Sequence, residues 1–306
     1  MPDIEQTAAY GWSNCYRLTN PYMTLIVTAD VGPRIIHCGL RDGPNLFATF
    51  PEMLGQQGGE AWRIYGGHRL WAAPEVKPRT YYPDNAPVQV TQLADGARFT
   101  PPPESVNGIA KSIDVHLAPD RPRATVTHRI QNTGVWPIEL APWALSVMDR
   151  GGTAIIPHPP RGSHQGNLLP VNTLTCWAYT NMADPRWTWG EQYVLLRQDS
   201  TAPNPQKIGM MVTERWAAYA HPGGLFIKTF PACDPEVAYP DLGCNVETFT
   251  NSAMLELETL GPLTVLEPGE SVEHEEVWHL FPPVPAPHGD ADVTRDILPL
   301  VEQALD

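Results

Sequence analysis

The chain has 306 residues, 34 of them proline, and only 18% are charged, below the usual roughly 25%. Its 34 acidic and 20 basic residues leave a formal charge of −14, which repels phosphate backbones and anionic bilayers, so neither nucleic acid nor a membrane is an expected partner. So much proline argues against a helical bundle, because proline breaks helix interiors.

In chain order, the first stretch, Met1 to Tyr10, is polar and acidic and lacks the marks of a signal peptide. Residues 24–28 and 34–40 are two β-rich runs separated by Asp30 to Pro33. Residues 88–93, 111–117 and 124–130 alternate apolar and polar side chains with a period of two, as half-buried strands do. Further strand runs fall at 138–140, 193–196, 208–212, 225–230, 254–258 and 271–280. Only the tail has helical spacing, beginning at Asp292 with Ile297, Leu300, Val301 and Leu305 on one face, and Pro299 should kink or delay it. Many short strands with Gly, Pro, Asn and Asp turns predict an all-β fold built as an antiparallel sandwich or barrel. The length favours one large domain, 1–306, with 286–306 as a helical tail.

Several chemistries lack their signals. There is no phosphate-binding G-x-x-x-x-G-K-[ST], no G-x-G-x-x-G and no G-x-S-x-G elbow. The five cysteines are odd in number and lack C-x-x-C spacing, which argues against a disulfide framework or a cysteine zinc site and fits a reducing cytoplasm. His274 and His279 are five apart on a strand and so face opposite sides. His158 and His164 lack an evident third ligand. Neither a metal nor another cofactor is expected.

Three stretches can carry chemistry. Residues 62–71 gather Trp62, Arg63, Tyr65, His68, Arg69 and Trp71 around Gly66-Gly67, with Glu75, Tyr81, Tyr82 and Asp84 following. Sugars present apolar C–H faces and many hydroxyls, so a sugar site wants aromatic platforms beside charged hydrogen-bonding groups. Next come Asp241, Glu247, Glu256 and Glu258; on an extended strand the last two share a face opposite Leu255 and Leu257. Third is the Pro-rich segment holding His158, Arg161 and His164, where histidine suits proton transfer near neutrality.

Leu257-Glu258-Thr259, followed by Val265-Leu266-Glu267-Pro268-Gly269-Glu270, resembles the C-terminal region of aldose 1-epimerases, the galactose mutarotase-like proteins. Arg63 with Gly66-Gly67 is similar to the R-G-G segment of hexose-6-phosphate mutarotases, and residues 130–138 resemble the strand pair that precedes the family's catalytic histidine. G-G-H-R-L-W, Y-Y-P-D-N and L-E-L-E-T-L-G-P resemble more closely an uncharacterised family on that fold, DUF4380, over most of the chain. The resemblance implies a β-supersandwich of two large antiparallel sheets with a sugar cleft on a concave face. It implies Glu258 as the base that takes the C1 hydroxyl proton. Where mutarotases carry the catalytic histidine, this chain has residues 141–146, Ala-Pro-Trp-Ala-Leu-Ser. His68 or His158 is then expected as the acid, with Arg63, Trp71, Glu75, Asp241, Glu247 and Glu256 binding substrate. The expected partner is a small sugar or oligosaccharide. The alternatives are glycoside cleavage by hydrolysis or elimination on the same fold, and carbohydrate binding without catalysis.

Overall fold

The computed structural model describes residues 2–234 and 236–306. Met1, at the start of the polar N-terminal stretch, lies outside them, as does Pro235. The strands in chain order are β1 (Asp3–Ala9), β2 (Trp12–Thr19), β3 (Met23–Thr28), β4 (Ile35–Leu40), β5 (Gly67–Ala73), β6 (Gln89–Gln92) and β7 (Gly96–Thr100). Then follow β8 (Ile109–Leu117), β9 (Arg123–Asn132), β10 (Ile138–Met148), β11 (Thr153–Pro157), β12 (Leu174–Cys176), β13 (Trp187–Trp189) and β14 (Tyr193–Arg197). The last are β15 (Gln206–Met210), β16 (Trp216–His221), β17 (Gly224–Thr229), β18 (Val246–Thr250), β19 (Leu255–Leu260), β20 (Thr264–Leu266) and β21 (Ser271–Phe281).

These strands form two antiparallel sheets. One runs β1-β2-β3-β4-β5-β10-β19-β18-β15-β12, with β20 also pairing β10. The other runs β13-β14-β11-β16-β17-β21-β9-β8-β7-β6. A continuous core lies between them, taking Leu25, Val27 and Leu257 from the first sheet and Phe99, Val126, Phe226 and Trp278 from the second. The all-β sandwich with a short helical tail is therefore the observed architecture.

The tail forms two short helices, Asp290–Asp296 and Leu298–Leu305, which break at Ile297 with Pro299 in the first turn of the second. Proline there costs no hydrogen bond, because that amide has no intrahelical partner. Val293, Ile297, Val301 and Ala304 cover Ile155, Leu195, Trp216 and Ile227 on the outer side of the second sheet.

Register across the first sheet decides what its outer face displays. Arg69 lies opposite Leu145 and Trp71 opposite Trp143. Leu145 in turn faces Glu258, and Glu258 faces Glu247. Because strand side chains alternate, residues 69 and 71 of β5, 143 and 145 of β10, 256 and 258 of β19, and 247 and 249 of β18 share that outer face.

Candidate active site

Lys207, from β15, organises the centre of this face. Its Nζ lies 2.7 Å from Glu247 Oε2 and donates to Glu258 Oε2 at 3.0 Å. Trp143 Nε1 donates to the same Glu258 oxygen at 2.8 Å. The ammonium also sits 4.8 Å from the Trp143 ring centre and 4.6 Å from that of Trp177, a cation–π sandwich. Beside it, Arg69 Nη2 donates to Glu256 Oε1 at 3.0 Å, and its guanidinium lies 4.4 Å from the Trp71 ring centre. Trp62, Trp71 and Tyr81 pack together at 5.1–5.4 Å between centres, and Trp143 joins through Trp71 at 5.4 Å. The Tyr81 hydroxyl donates to Glu75. The result is a charged floor walled by aromatic rings.

Three carboxylates share this floor with two cations. Burial pushes Glu247 well above the usual carboxylate range, and Glu258 and Asp241 add to it against the pull of Lys207. Burial also raises Glu256, opposed by Arg69 and reinforced by Glu258. Burial alone would lower Lys207, but Glu258 and Glu247 outweigh it and hold the amine charged. Glu258 Oε1 and Glu247 Oε1 are buried and meet no protein donor. The floor therefore holds two carboxyls biased toward their protonated form, Glu247 and Glu256, beside Glu258, whose Oε1 has no protein donor.

Of the residues expected from sequence, Trp71, Glu247, Glu256 and Glu258 come together here. Asp241 lies in the turn before β18, where its carbonyl accepts from Thr175 at 3.1 Å and its charge reaches Glu247. Glu75 stands exposed at the rim beside Tyr81.

Three expected residues do not join the floor. Arg63 donates to the Gly58 carbonyl at 2.7 Å and the Tyr65 hydroxyl at 3.1 Å, so it braces its own loop. His68 is one residue out of step with Arg69 on β5 and therefore points between the sheets, on the opposite side from Glu258. His158 follows β11 in the other sheet, with Nδ1 3.1 Å from the Asn172 amide nitrogen. Neither histidine faces Glu258, which corrects their expected role as the acid. Lys207 carried no sequence signal, since a lone lysine on a strand is ordinarily solvated. Arg69, Trp143 and Trp177 are visible in the sequence, but their convergence comes from sheet register.

The interior histidines form a network of their own. His68 Nε2 and His128 Nε2 are 2.6 Å apart, His68 Nδ1 is 2.9 Å from Ser146 Oγ, and His128 Nδ1 is 2.9 Å from the His274 carbonyl. Nδ1–H of His128 serves that carbonyl, so its Nε2 accepts from His68 and Ser146 donates to His68. Glu276 joins Lys228 at 2.7 Å, Trp278 at 2.7 Å and Thr259 at 2.5 Å. His68, His128 and Glu276 are close enough to suggest a metal triad. However, 2.6 Å between the ring nitrogens is a hydrogen-bond separation, shorter than two ligands of one zinc at about 2.1 Å can approach. Lys228 already neutralises Glu276. The cluster reads as a satisfied polar core behind the floor.

No protein-family model matches the sequence, and no curated protein matches it. Similarity appears in three dimensions. A candidate aldose 1-epimerase from Klebsiella pneumoniae superposes with a TM-score of 0.59 at 10% identity, over 99% of this chain and 86% of that one. A candidate mutarotase (YeaD) from Salmonella typhimurium gives 0.57 at 7% identity, over 92% and 97%. A galactose mutarotase-like protein from Lactobacillus casei gives 0.52 at 9%, over 87% and 100%. The chain therefore has the galactose mutarotase-like fold.

Proposed function

We propose that the protein is an aldose 1-epimerase-like isomerase that interconverts the anomers of a neutral sugar on the outer face of the first sheet. The observation that carries this reading is the pairing, on one ammonium, of Glu247, biased toward its protonated form, with Glu258, whose Oε1 is free. Glu258 takes the C1 hydroxyl proton while Glu247 protonates the ring oxygen, and the C1–O5 bond opens. Rotation about C1–C2 and closure with the protons returned give the other anomer. Lys207 and Trp143 hold Glu258, and Arg69 holds Glu256 against the aromatic wall. Trp62, Trp71 and Trp177 offer surfaces for sugar C–H faces, as does Tyr179, whose ring meets that of Phe249 on the same outer face edge-on at 6.3 Å between centres.

With Glu247 protonated, Glu256 and Glu258 balance Arg69 and Lys207, so the floor has no spare cation for a phosphate or carboxylate group and the substrate class is a neutral aldose. The likeness to DUF4380 rests on the three motifs quoted above. Treating 1–306 as one domain is supported by the core shared between both sheets, and the cytoplasmic setting by five free cysteines.

Anomer exchange of a panel of aldoses, followed by NMR, tests the reading. Glu258→Gln is expected to lower the rate by about 10²–10⁴-fold with folding intact. Acceleration of no aldose would sink the epimerase reading for that panel, and a Glu258→Gln variant as fast as the parent would remove Glu258 from the role. Glycoside cleavage is the rival for a buried carboxylate pair. Mass spectrometry separates the two, because anomer exchange leaves product mass unchanged.

A further inference from the structure

The first sheet divides between β4 and β5, which share one register pair, Ile35 with His68. A cavity of about 110 Å³ is lined on one side by residues 32–34, leading into β4, and on the other by Leu70 and Trp71 of β5. Prolines 101–103 and Ile113 supply apolar walls. That space exceeds what one water occupies several times over.

Arg34 lines this cavity and is only 2% exposed. Its Nη1 donates to the Pro33 carbonyl at 3.2 Å and pairs with Asp84. Its Nε and Nη2, which together form the side edge of the guanidinium, meet no protein acceptor. Gly32, at φ +99°, lets the chain turn tightly here, since a Cβ would sit 2.5 Å from the Arg34 amide nitrogen. Lys111 and Glu104, paired at 2.5 Å, also line the space, so its two cations and two anions balance. A parallel pair of N–H groups matches the two oxygens of a planar carboxylate, and the proline walls suit a short hydrocarbon.

We propose that this cavity binds a small monocarboxylate, its oxygens on Nε and Nη2 of Arg34 and its apolar body against prolines 101–103. The site is separate from the carboxylate floor and does not depend on the sugar reading, although Trp71 belongs to both.

Calorimetric titration of the whole chain with acetate, propionate and butyrate tests it, with the corresponding amides as uncharged controls. Saturable binding of at least one acid is expected, with its amide at least tenfold weaker. Arg34→Lys keeps the charge but loses the fork and should weaken binding at least tenfold. If that variant does not fold, Ala86→Phe decides, because Ala86 lines the cavity yet is exposed and tolerates a larger side chain. It should abolish binding at unchanged melting temperature. No saturation with any acid, equal binding of acid and amide, or undiminished binding by Ala86→Phe would overturn the proposal.

Discussion

Lys207 touches two carboxylates and two indoles, and its worth shows best in what its loss would leave behind. Lys207→Met would strand Glu247 and Glu258 together in a buried setting. Breaking a buried pair from one side typically costs about 3–5 kcal/mol. A loss of that order in urea unfolding is expected, and the deficit should shrink in acid as the stranded carboxylates protonate. Nothing beside Lys207 in the sequence marks it. Ile208 and Met210 announce a strand, but which neighbours face the lysine is settled by pairing with β18, some 40 residues later. Glu256 and Glu258 were readable as a facing pair because both lie on one strand. The histidines show the reverse. His68 sits in the stretch richest in site-like residues, yet strand parity sends it inward. Burial lowers His68 and His128 and takes His274 down to about 3, in each case against the pull of Glu276. All three are neutral in the folded protein, whereas the unfolded chain gains their protons below about pH 6.5. The unfolded state binds more protons there, so stability falls as pH falls from about 6.5 toward 3. Denaturant midpoints across that range should decline, and less steeply in His274→Gln.

Among elements, β5 is entered through two tightly enclosed glycines. A Cβ on Gly66 would lie 2.1 Å from the Ala48 carbonyl oxygen, and one on Gly67, at φ +69°, 2.4 Å from that of Ile35. The two glycines are thus a close-packed entry to the strand. Gly67→Ala should cost at least about 1 kcal/mol, read as a lower thermal midpoint. The tail helices are tied in by Asp290, whose carboxylate accepts from the backbone amides of Glu191, Gln192 and Tyr193 at 2.7–3.2 Å. Asp290→Ala should loosen the tail, seen as faster proteolysis after residue 281. Strands with one wet face, such as β8 and β9, were legible from alternation. Strand β5 was not, because Gly-His-Arg-Leu-Trp-Ala-Ala buries both faces and places its charges against partners instead of water.

For the whole molecule, proline content and turn spacing pointed to a sandwich, and two packed sheets are what the chain forms. No helix among the described residues is long and apolar enough to cross a membrane. The candidate floor was only partly legible, because it is assembled from β5, β10, β15, β18 and β19, whose order in space departs from their order in sequence. Its lack of an unpaired cation has a consequence for selectivity: glucose 6-phosphate should compete with a neutral aldose far less well than the aldose's own epimers do, as competition in the NMR assay would reveal.

The burial of β5 and β19 on both faces sets a limit on motion. Amides so enclosed open only in near-global unfolding. Hydrogen–deuterium exchange should therefore be slowest in these strands and fast in residues 51–62 and 177–184, which carry Trp62, Trp177 and Tyr179 over the floor. A substrate would then meet a rigid bed under a pliable canopy, and entry and release would be timed by the canopy alone.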